Sequence, residues 1–518
     1  MTHLNSFGRS LAEKLTWSQS QSLNWKAGYN EDSKVHVASA GKTLTVAYEQ
    51  LRNAAEYVEE NLLLQRAIGR YYRRIFLARD QRLVSDSADE LILELTLAAY
   101  LPNDSIPVSL LATINSVAND YYTAYDQLPT EFRERANAWT VDVLAVSIEG
   151  MLSDHSRQDG FTQFTYDYFY KTLDPEELVG EVPSDEYALS LFIAVNYALI
   201  KADAAIIRTG LLARYKIAPA ASEEFIATNK RIDMLLMAET TEKLTRTLDR
   251  RGGPLRILWR MIDTRDDMAS LIKTPSLFLN AYEAQIAQEY KRIRQKVRQG
   301  IVKSIAFLVV TKVAIGLLIE IPYDRIVHNE ILWLPLAINL LFPPMYMILL
   351  SLMLPMPGKA NTSALLQRIE KLLYGDIATG TLIKRGKKSF STAFNAVYAF
   401  LFFAVFGVVS WLLIQIGFSA LHLIIFFVFL STASFLGFRL ARIVREVEVV
   451  EGEQNVLTII RDVLYMPFVV VGHWISDKYG KVNIMTLVLD MAIELPLKTF
   501  LYLVRQWVAF ISSKKDEL

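Results

Sequence analysis

The sequence predicts an all-α protein: a helical soluble N-terminal domain, then a four-helix transmembrane bundle and amphipathic C-terminal helices. Four long apolar stretches lie between residues 304 and 438, apolar residues recur at helical spacing before them, and no β alternation of useful length occurs. The apolar fraction of 52% exceeds the usual share of about 45–50%. At 518 residues the chain is also too long for one compact core, so two or more regions are expected.

Residues 1–300 are predicted to form a cytoplasmic helical domain. Within it, segments 54–80 and 186–215 place apolar side chains three and four residues apart, with charged side chains on other faces. A helix predicted at 278–300 is expected to continue into the first membrane span, because no proline separates them and Gly300 is the only weak helix former nearby. The domain and the first span are therefore expected to share one long helix.

The transmembrane domain is predicted at residues 301–440, with a basic cytoplasmic loop at 355–393. Each apolar stretch has the length, about 17–25 residues, that a helix needs to cross a bilayer. Helices in a soluble core rarely stay apolar on all sides for so long. A fifth span within 186–215 is not favoured, because Lys201 and Asp203 interrupt that stretch too early. The four predicted spans are 304–322, 331–354, 394–416 and 418–438.

Basic residues in the connecting segments predict the orientation of the spans. Six Lys and Arg residues precede the first span within 291–303, and seven lie between the second and third spans. The turn between the first two spans carries a single basic residue, Arg325, against Asp324 and Glu330, and the turn around Gly417 carries no charge. Because basic loops stay on the cytoplasmic side, this alternation predicts a cell-membrane protein with both termini in the cytoplasm.

The tail, residues 441–518, is predicted to form cytoplasmic amphipathic or interfacial helices. The apolar stretch 463–476 is too short to span a bilayer comfortably. The longer stretch 482–511 carries Asp490 and Glu494, and acidic side chains in the middle of a span are costly. Both stretches are therefore expected to lie on the membrane surface or on the N-terminal domain.

The last four residues, 515–518, spell KDEL, the address that retains soluble proteins in the endoplasmic reticulum. That address is read in the lumen, whereas the loop charges place this terminus in the cytoplasm. We therefore interpret the tetrapeptide as a coincidence and not as a functional signal. An odd number of spans would reverse this interpretation.

Four polar side chains inside the predicted spans are candidate functional residues. Lys312 lies near the centre of the first span, where insertion of a lysine costs about 2.5–3.5 kcal/mol. Asn339 of the second span is expected at a similar depth, and Glu320 and His422 at a second level nearer the outside. One interpretation is a proton or ion path, or a site for an anionic group. The other is that Lys312 reaches the interface or makes one interhelical hydrogen bond that holds the bundle together.

Two prolines, Pro343 and Pro344, remove two backbone donors within the second span and predict a kink or a helix break there. Transporters use broken helices to present backbone groups to ions. Proline kinks are also ordinary in membrane helices. The pair is therefore compatible with a functional and with a purely structural role.

The loop between the second and third spans contains a cluster of basic residues that are candidates for binding anionic lipid headgroups. The alternative is that these residues only set the topology. The cluster consists of Lys384, Arg385, Lys387 and Lys388.

The sequence contains no catalytic or metal-binding motif. It has no cysteine, and its six histidines never occur at ligand spacing, so no metal site and no cofactor is predicted. No glycine-rich phosphate loop and no nucleophile elbow is present. Lys and Arg balance Asp and Glu at 55 each, which argues against binding of nucleic acid.

These observations favour a multi-pass membrane protein that anchors a helical cytoplasmic domain as a scaffold or interaction protein. Its expected partners are the lipid bilayer and a protein that binds the cytoplasmic domain. The alternative is a channel or transporter for ions, protons or small solutes that uses the polar residues inside the bundle. An enzyme is not favoured.

Two stretches among about the last 220 residues carry a resemblance to known proteins. They are IEIPYDRIVHNEILWLPLAINLLFPPMYM, 319–347, and LVLDMAIELPLKTFLYLVRQWVAFI, 487–511. Both resemble segments of uncharacterised multi-pass membrane proteins from candidate-phylum bacteria. The resemblance implies a bacterial cytoplasmic membrane, and it implies no particular activity.

Overall fold

The protein is all-α in its computed structural model, as the sequence predicts. The described residues are 84% helical and form no strand, only an isolated bridge between Lys34 and Pro107. The residues that the structure describes are 4–29, 33–38, 42–43, 45–46, 49, 62–220, 222–352, 356–375, 392–450 and 456–480.

The N-terminal region is built from short and medium helices. A 3₁₀ helix at Thr130–Arg135 and single π turns at Asn137–Val141 and Asn196–Ile200 join some of them. In chain order the helices are α1 (Ser6–Gly28), α2 (Leu63–Ala78), α3 (Gln81–Ser85), α4 (Ser87–Leu97), α5 (Val108–Gln127), α6 (Asp142–Leu152), α7 (Ser156–Thr172), α8 (Pro175–Val179), α9 (Ser184–Val195), α10 (Ala204–Tyr215), α11 (Glu223–Met237), α12 (Glu239–Arg251), α13 (Gly253–Thr264) and α14 (Met268–Leu271).

The apolar segment 186–215 forms two helices and not one. Lys201 has a positive φ of 60°, which ends the wide turn that follows α9. The carboxylate of Asp203 then accepts hydrogen bonds from the backbone N–H groups of Ala205 and Ile206, both at 3.1 Å. It thereby caps the first turn of α10. The two charged residues that interrupt the apolar pattern are therefore the residues that turn the chain.

The membrane region begins with a helix that the domain and the first span share. α15 (Pro275–Ile315) continues through a wide turn of π geometry, Gly316–Glu320, into α16 (Ile321–Val327). Its domain half buries Phe278, Tyr282 and Ile286, and its membrane half is apolar except for a few side chains such as the buried Lys312. The shared helix expected from the sequence is thus confirmed.

Four helices in the described part of the chain are long and apolar enough to cross a membrane, in agreement with the four predicted spans. The first is the membrane half of α15 with α16. The others are α17 (Trp333–Leu352), α19 (Thr392–Gln415) and α20 (Ala420–Arg445). α20 is the central helix and packs against α15 and α17, whereas α19 lies at the edge with most of its surface exposed.

The segment between the second and third spans contributes a helix to the N-terminal core. α18 (Lys359–Tyr374) buries Leu365, Ile369 and Leu373 in the same apolar cluster as the domain helices. The amide of Asn5 donates to the carbonyl of Leu372 at 2.9 Å and so ties the start of α1 to the end of α18. The predicted loop is therefore, over this helix, part of the domain.

A second contact of this kind holds the chain that follows the fourth span. The side chain of Asn361 donates to the carbonyl of Val447 at 2.9 Å and accepts from the N–H of Val449 at 2.7 Å. Arg256 of α13 donates to the carbonyl of Glu446 at 2.6 Å. The end of α20 is therefore fixed to the domain, as is the start of α15.

The described tail forms one helix, α21 (Val456–Gly480), which is longer than the apolar stretch 463–476 suggests. It packs along α20 within the predicted fourth span. A Cβ on Gly472 would collide with the carbonyl oxygen of Ser431 on α20, and the ring centroid of Phe468 lies 4.9 Å from that of Phe406 on α19. Glycine at this position permits the close approach of the two helices.

Three predictions fall on residues outside the described part of the chain. These are the amphipathic helix at 482–511, the terminal tetrapeptide, and the basic cluster of Lys384, Arg385, Lys387 and Lys388.

Candidate functional site

The wide turn in the first span brings three charged side chains to one face of the helix. In an unbroken α-helix, Glu320 and Asp324 would lie about 80° and 120° around the axis from Lys312. A π turn accommodates one extra residue, which rotates everything after it back by about 100°. Both carboxylates then fall within about 20° of the lysine. The turn at Gly316–Glu320 therefore creates a polar stripe that α-helical spacing alone does not predict.

The four intramembrane candidates meet in one buried cluster. The ammonium of Lys312 lies 2.7 Å from Oε1 of Glu320, with the side chains 2% and 0% exposed. The amide of Asn339 donates to the same oxygen at 2.9 Å and to the backbone carbonyl of His422 at 3.2 Å. The two levels expected from the sequence are thus one site, because Lys312 reaches along the helix axis and Asn339 bridges to α20.

Asp324 is a fifth member of the cluster that the sequence analysis missed. Its carboxylate is fully buried, with Oδ2 3.5 Å from Nε2 of His422 and Oδ1 3.6 Å from Nδ1 of His328. It also accepts a hydrogen bond from the N–H of Leu332 at 3.1 Å. The predicted first span ends at Pro322, so the sequence places Asp324 in the turn that follows it. The helix in fact continues to Val327, and the i, i+4 spacing of Glu320 and Asp324 is the signal that could have found it.

Of the kink or helix break that the sequence predicts at Pro343 and Pro344, the break is absent. α17 runs through both, and Pro343 is buried against the neighbouring helices, whose packing holds the segment helical. Pro343 has no N–H to donate to the carbonyl of Asn339, four residues before it. The backbone carbonyl of Asn339 therefore lies beside the cluster without the donor that a continuous helix would give it.

Several buried polar atoms of the cluster have no hydrogen-bond partner among the described residues. An unpartnered polar atom in an apolar interior costs about 1–3 kcal/mol, so a concentration of such atoms in one place needs an explanation. They are Oε2 of Glu320, Oδ1 of Asp324, Oδ1 of Asn339, Nε2 of His422 and, at the edge, Nδ1 of His328.

The formal charge of the cluster is also unbalanced. Lys312 contributes one positive charge, and Glu320 and Asp324 contribute two negative charges, so the cluster carries −1 when both imidazoles are neutral. A net charge in a low-dielectric interior is strongly unfavourable. One further positive charge would neutralise it. No group of three or more His, Cys, Asp or Glu side chains in the described part of the chain is arranged to hold a metal ion.

The two ends of the bundle differ in their access to the cluster. The loop end is formed by the turns at 328–332 and 416–419, and the domain end is where α15 and α20 enter the helical domain. At the loop end, the side chain of His328 is 31% exposed and contacts the fully buried Asp324. A titratable group therefore connects the cluster to this surface.

At the domain end an apolar layer separates the cluster from the rest of the bundle. The ammonium of Lys312 lies 5.2 Å from the ring centroid of Phe429, which belongs to this layer. Next to Ala433 and Met347 in the chain, the hydroxyl of Ser434 donates to that of Tyr346 at 3.1 Å. The layer consists of the buried side chains of Leu308, Met347, Phe429 and Ala433.

No family model, no curated protein and no solved structure matches this chain. The chemistry of the buried cluster is therefore the basis for a functional conclusion.

Proposed function

We propose that the protein is a multi-pass membrane protein that moves protons or small monovalent cations through its helical bundle. The single observation that carries this proposal is the buried cluster of Lys312, Glu320, Asp324, Asn339 and His422, with its net negative charge and its unpartnered atoms. Ionisable side chains inside a membrane are costly, and where they persist they mark ion and proton pathways.

A structural role alone explains the cluster less well. A single interhelical hydrogen bond would be enough to hold two membrane helices together, and such bonds contribute only about 0.6–2 kcal/mol. This cluster instead gathers two carboxylates, an ammonium and an imidazole, and it leaves acceptors of each carboxylate unpartnered. Without a bound cation, the cluster carries an unfavourable net charge. One bound positive charge makes it neutral, and a transport site requires this property.

The orientation and location belong to the same proposal. The loop charges support a bacterial cell membrane with the helical domain and both termini in the cytoplasm, which places the loop end of the bundle outside. The basic cluster at 384–388 would then lie at the inner leaflet, where anionic headgroups are found.

The test is ion flux through the purified full-length protein in liposomes that contain a dye for pH, for Na⁺ or for K⁺. A potassium diffusion potential drives cations inward. We expect proton or cation flux with the wild type, and its loss in Lys312→Ala and Glu320→Ala, because each change destroys the ion pair at the centre of the cluster. Thr311→Ala is the matched control, since its hydroxyl bonds only to carbonyls of its own helix, Phe307 at 2.6 Å and Leu308 at 3.3 Å.

A double variant guards against loss of folding. Lys312→Met with Glu320→Gln removes both charges of the pair and preserves the side-chain volumes, so no unpaired charge is left buried by this change. A folded double variant without flux supports the proposal. Wild-type protein without flux for protons, Na⁺ or K⁺ contradicts it.

The second candidate function is a scaffold that holds a helical domain at the membrane. It is favoured by the rigid junction, in which α15 runs unbroken from the domain core into the bundle and Asn361 and Arg256 hold the chain after α20. A sealed bundle that carries no ions while the domain stays folded is the result that would favour this function.

A further inference from the structure

The geometry points to a proton as the ligand of this cluster: Asp324 and His422 share one proton, which reaches them from the loop end through His328. This inference rests on the proposed function and names its substrate, its binding pair and its direction of access. The three side chains form a continuous row from a partly exposed imidazole to two fully buried groups, with separations of 3.6 and 3.5 Å.

The charges around the pair favour a proton over a metal cation. The ionisable groups that act on His422 are Asp324 and Glu320, which attract a positive charge, and Lys312 and His328, which oppose it when protonated. α17 contributes Asn339, which does not titrate. The ammonium of Lys312 already occupies the position beside Glu320, so a second cation would be repelled there. A proton needs no coordination shell and neutralises the cluster in place.

The hydrogen bonds of His422 prepare one of its nitrogens for this role. Nδ1 of His422 lies 2.8 Å from the hydroxyl of Ser419, and the backbone carbonyl of His422 accepts from Asn339. When Nδ1 carries the hydrogen, its bond to Ser419 leaves the lone pair of Nε2 facing Asp324. Nε2 is fully buried and has no hydrogen-bond partner among the described residues, so it is available as a base.

The transfer is a relay in which no covalent bond other than N–H and O–H changes. Protonated His328 gives its Nδ1 proton to Oδ1 of Asp324. Rotation of the neutral carboxyl group about its Cβ–Cγ bond then turns the protonated oxygen toward Nε2 of His422, which takes the proton. The product is an imidazolium beside a carboxylate, and His328 returns to its neutral form. The cluster changes from −1 to neutral, which provides the driving force in the low-dielectric interior.

The apolar layer determines which side supplies the proton in this conformation. Leu308, Met347, Phe429 and Ala433 lie between the cluster and the domain end, and none of them can carry a proton. His328 at the loop end is the partly exposed member of the row. The structure therefore corresponds to a state that loads from the loop end and is closed toward the domain end.

The experiment uses the reconstituted full-length protein and three conservative variants, with proton influx as the readout. Asp324→Asn and His422→Gln are expected to lower the influx at least about tenfold, since each removes a member of the binding pair. His328→Gln is expected to lower it less, because water can partly replace an exposed relay group. The matched controls are Arg325→Gln and Glu330→Gln, two exposed charges of the same segment that lie off the row.

Asp324→Asn is designed to fold, because it leaves the balanced pair of Lys312 and Glu320 and keeps an oxygen for the N–H of Leu332. If it does not fold, the result with His422→Gln decides. If both variants show the same proton influx as the wild type, the inference is overturned and the proposed function still stands. A wild-type flux of Na⁺ or K⁺ without acidification also overturns the proton as ligand. Absence of any wild-type flux contradicts the proposed function itself.

Discussion

The domain and the membrane bundle each bury a charged side chain, and the two sites are built differently. In the domain, the guanidinium of Arg208 donates to Oδ1 of Asn229 at 2.8 Å and pairs with Asp233. Asp233 also accepts from the indole of Trp139 at 3.1 Å and from the exposed Arg135 at 3.2 Å. None of these buried side-chain atoms lacks a partner within the described residues.

The membrane cluster departs from this pattern in two respects. It has one negative charge in excess, and it leaves oxygens of Glu320, Asp324 and Asn339 without donors in the described part of the chain. A buried pair that is balanced and fully bonded holds a fold together, and the removal of one partner destabilises the fold. A cluster that is unbalanced and incompletely bonded is suited to take up and release a charge. The difference between the two sites is the basis of the proposed function.

The largest effect is expected in the free energy of unfolding when the same substitution, Asp to Asn, is made at the two sites. Asp233→Asn leaves the guanidinium of Arg208 buried without its counter-ion, so we expect a loss of about 3 kcal/mol in the free energy of unfolding. Asp324→Asn removes the excess charge of the membrane cluster, so we expect a change within about 1 kcal/mol. Denaturation of the purified protein, followed by circular dichroism, measures both.

The control for the domain site is Arg135→Gln, which removes the exposed partner of Asp233. Because exposed ion pairs contribute little, its effect should stay within about 1 kcal/mol. Equal destabilisation by Asp233→Asn and Asp324→Asn would contradict the distinction drawn here, since it would mean that both sites are structural.

A smaller effect is expected from a polar group in the apolar layer. Leu308 is fully buried between the cluster and the domain end, and Leu308→Asn would allow water to enter the layer. We expect the passive proton leak into liposomes to rise about fivefold. Val310→Asn is the control, because that side chain is 68% exposed on another face of the same helix. An unchanged leak in Leu308→Asn would show that this layer is not the barrier.

The smallest expected effect is a proton-linked change of stability in the domain. His155 lies 3.0 Å from Oε2 of Glu149. Burial acts to lower the pKa of the His155 imidazole, but the hydrogen bond and the charge of Glu149, with Asp159 and Asp154, outweigh it and raise the pKa. The contribution of His155 is therefore complete below its unfolded pKa of about 6.5 and is lost as the pH rises through the folded pKa.

His155→Gln should accordingly reduce the fall in Tm between about pH 5.5 and pH 8, with an effect of about 1 kcal/mol at most. The control is His36→Gln, since the side chain of His36 is mostly exposed. A pH dependence that is the same in the wild type and in His155→Gln would exclude a role for this pair.

Helical periodicity predicted the fold class and the four spans, but it did not predict which segments share a core. Residues 359–374 belong to the predicted basic cytoplasmic loop, 355–393, and only the packing of Leu365, Ile369 and Leu373 places them, as helix α18, in the domain core. In the same way, segment 186–215 has one apolar pattern but forms two helices. The conformation of Lys201 and the cap by Asp203 decide this, and both are local features that hydropathy does not record.

Part of the candidate site could be predicted from the sequence, because a charged or polar residue inside an apolar stretch is easily recognised. Lys312, Glu320, Asn339 and His422 are all found in this way. Asp324 is not, because a position two residues after Pro322 and just past the apolar stretch is typical of a loop. The π turn before it, which extends the helix and rotates the carboxylate inward, depends on packing against the neighbouring helices.

The sequence by itself determined that this protein is helical, that four of its helices can cross a membrane, and that a few ionisable side chains lie inside them. These properties follow from composition and period, which act within each segment. Only the tertiary structure decided that the side chains form one cluster, that the cluster carries an excess negative charge, and that it faces an imidazole at one end and an apolar layer at the other. Distances between helices and the rotation of a helix at a single wide turn are set by packing between segments, so they cannot be read from one segment at a time.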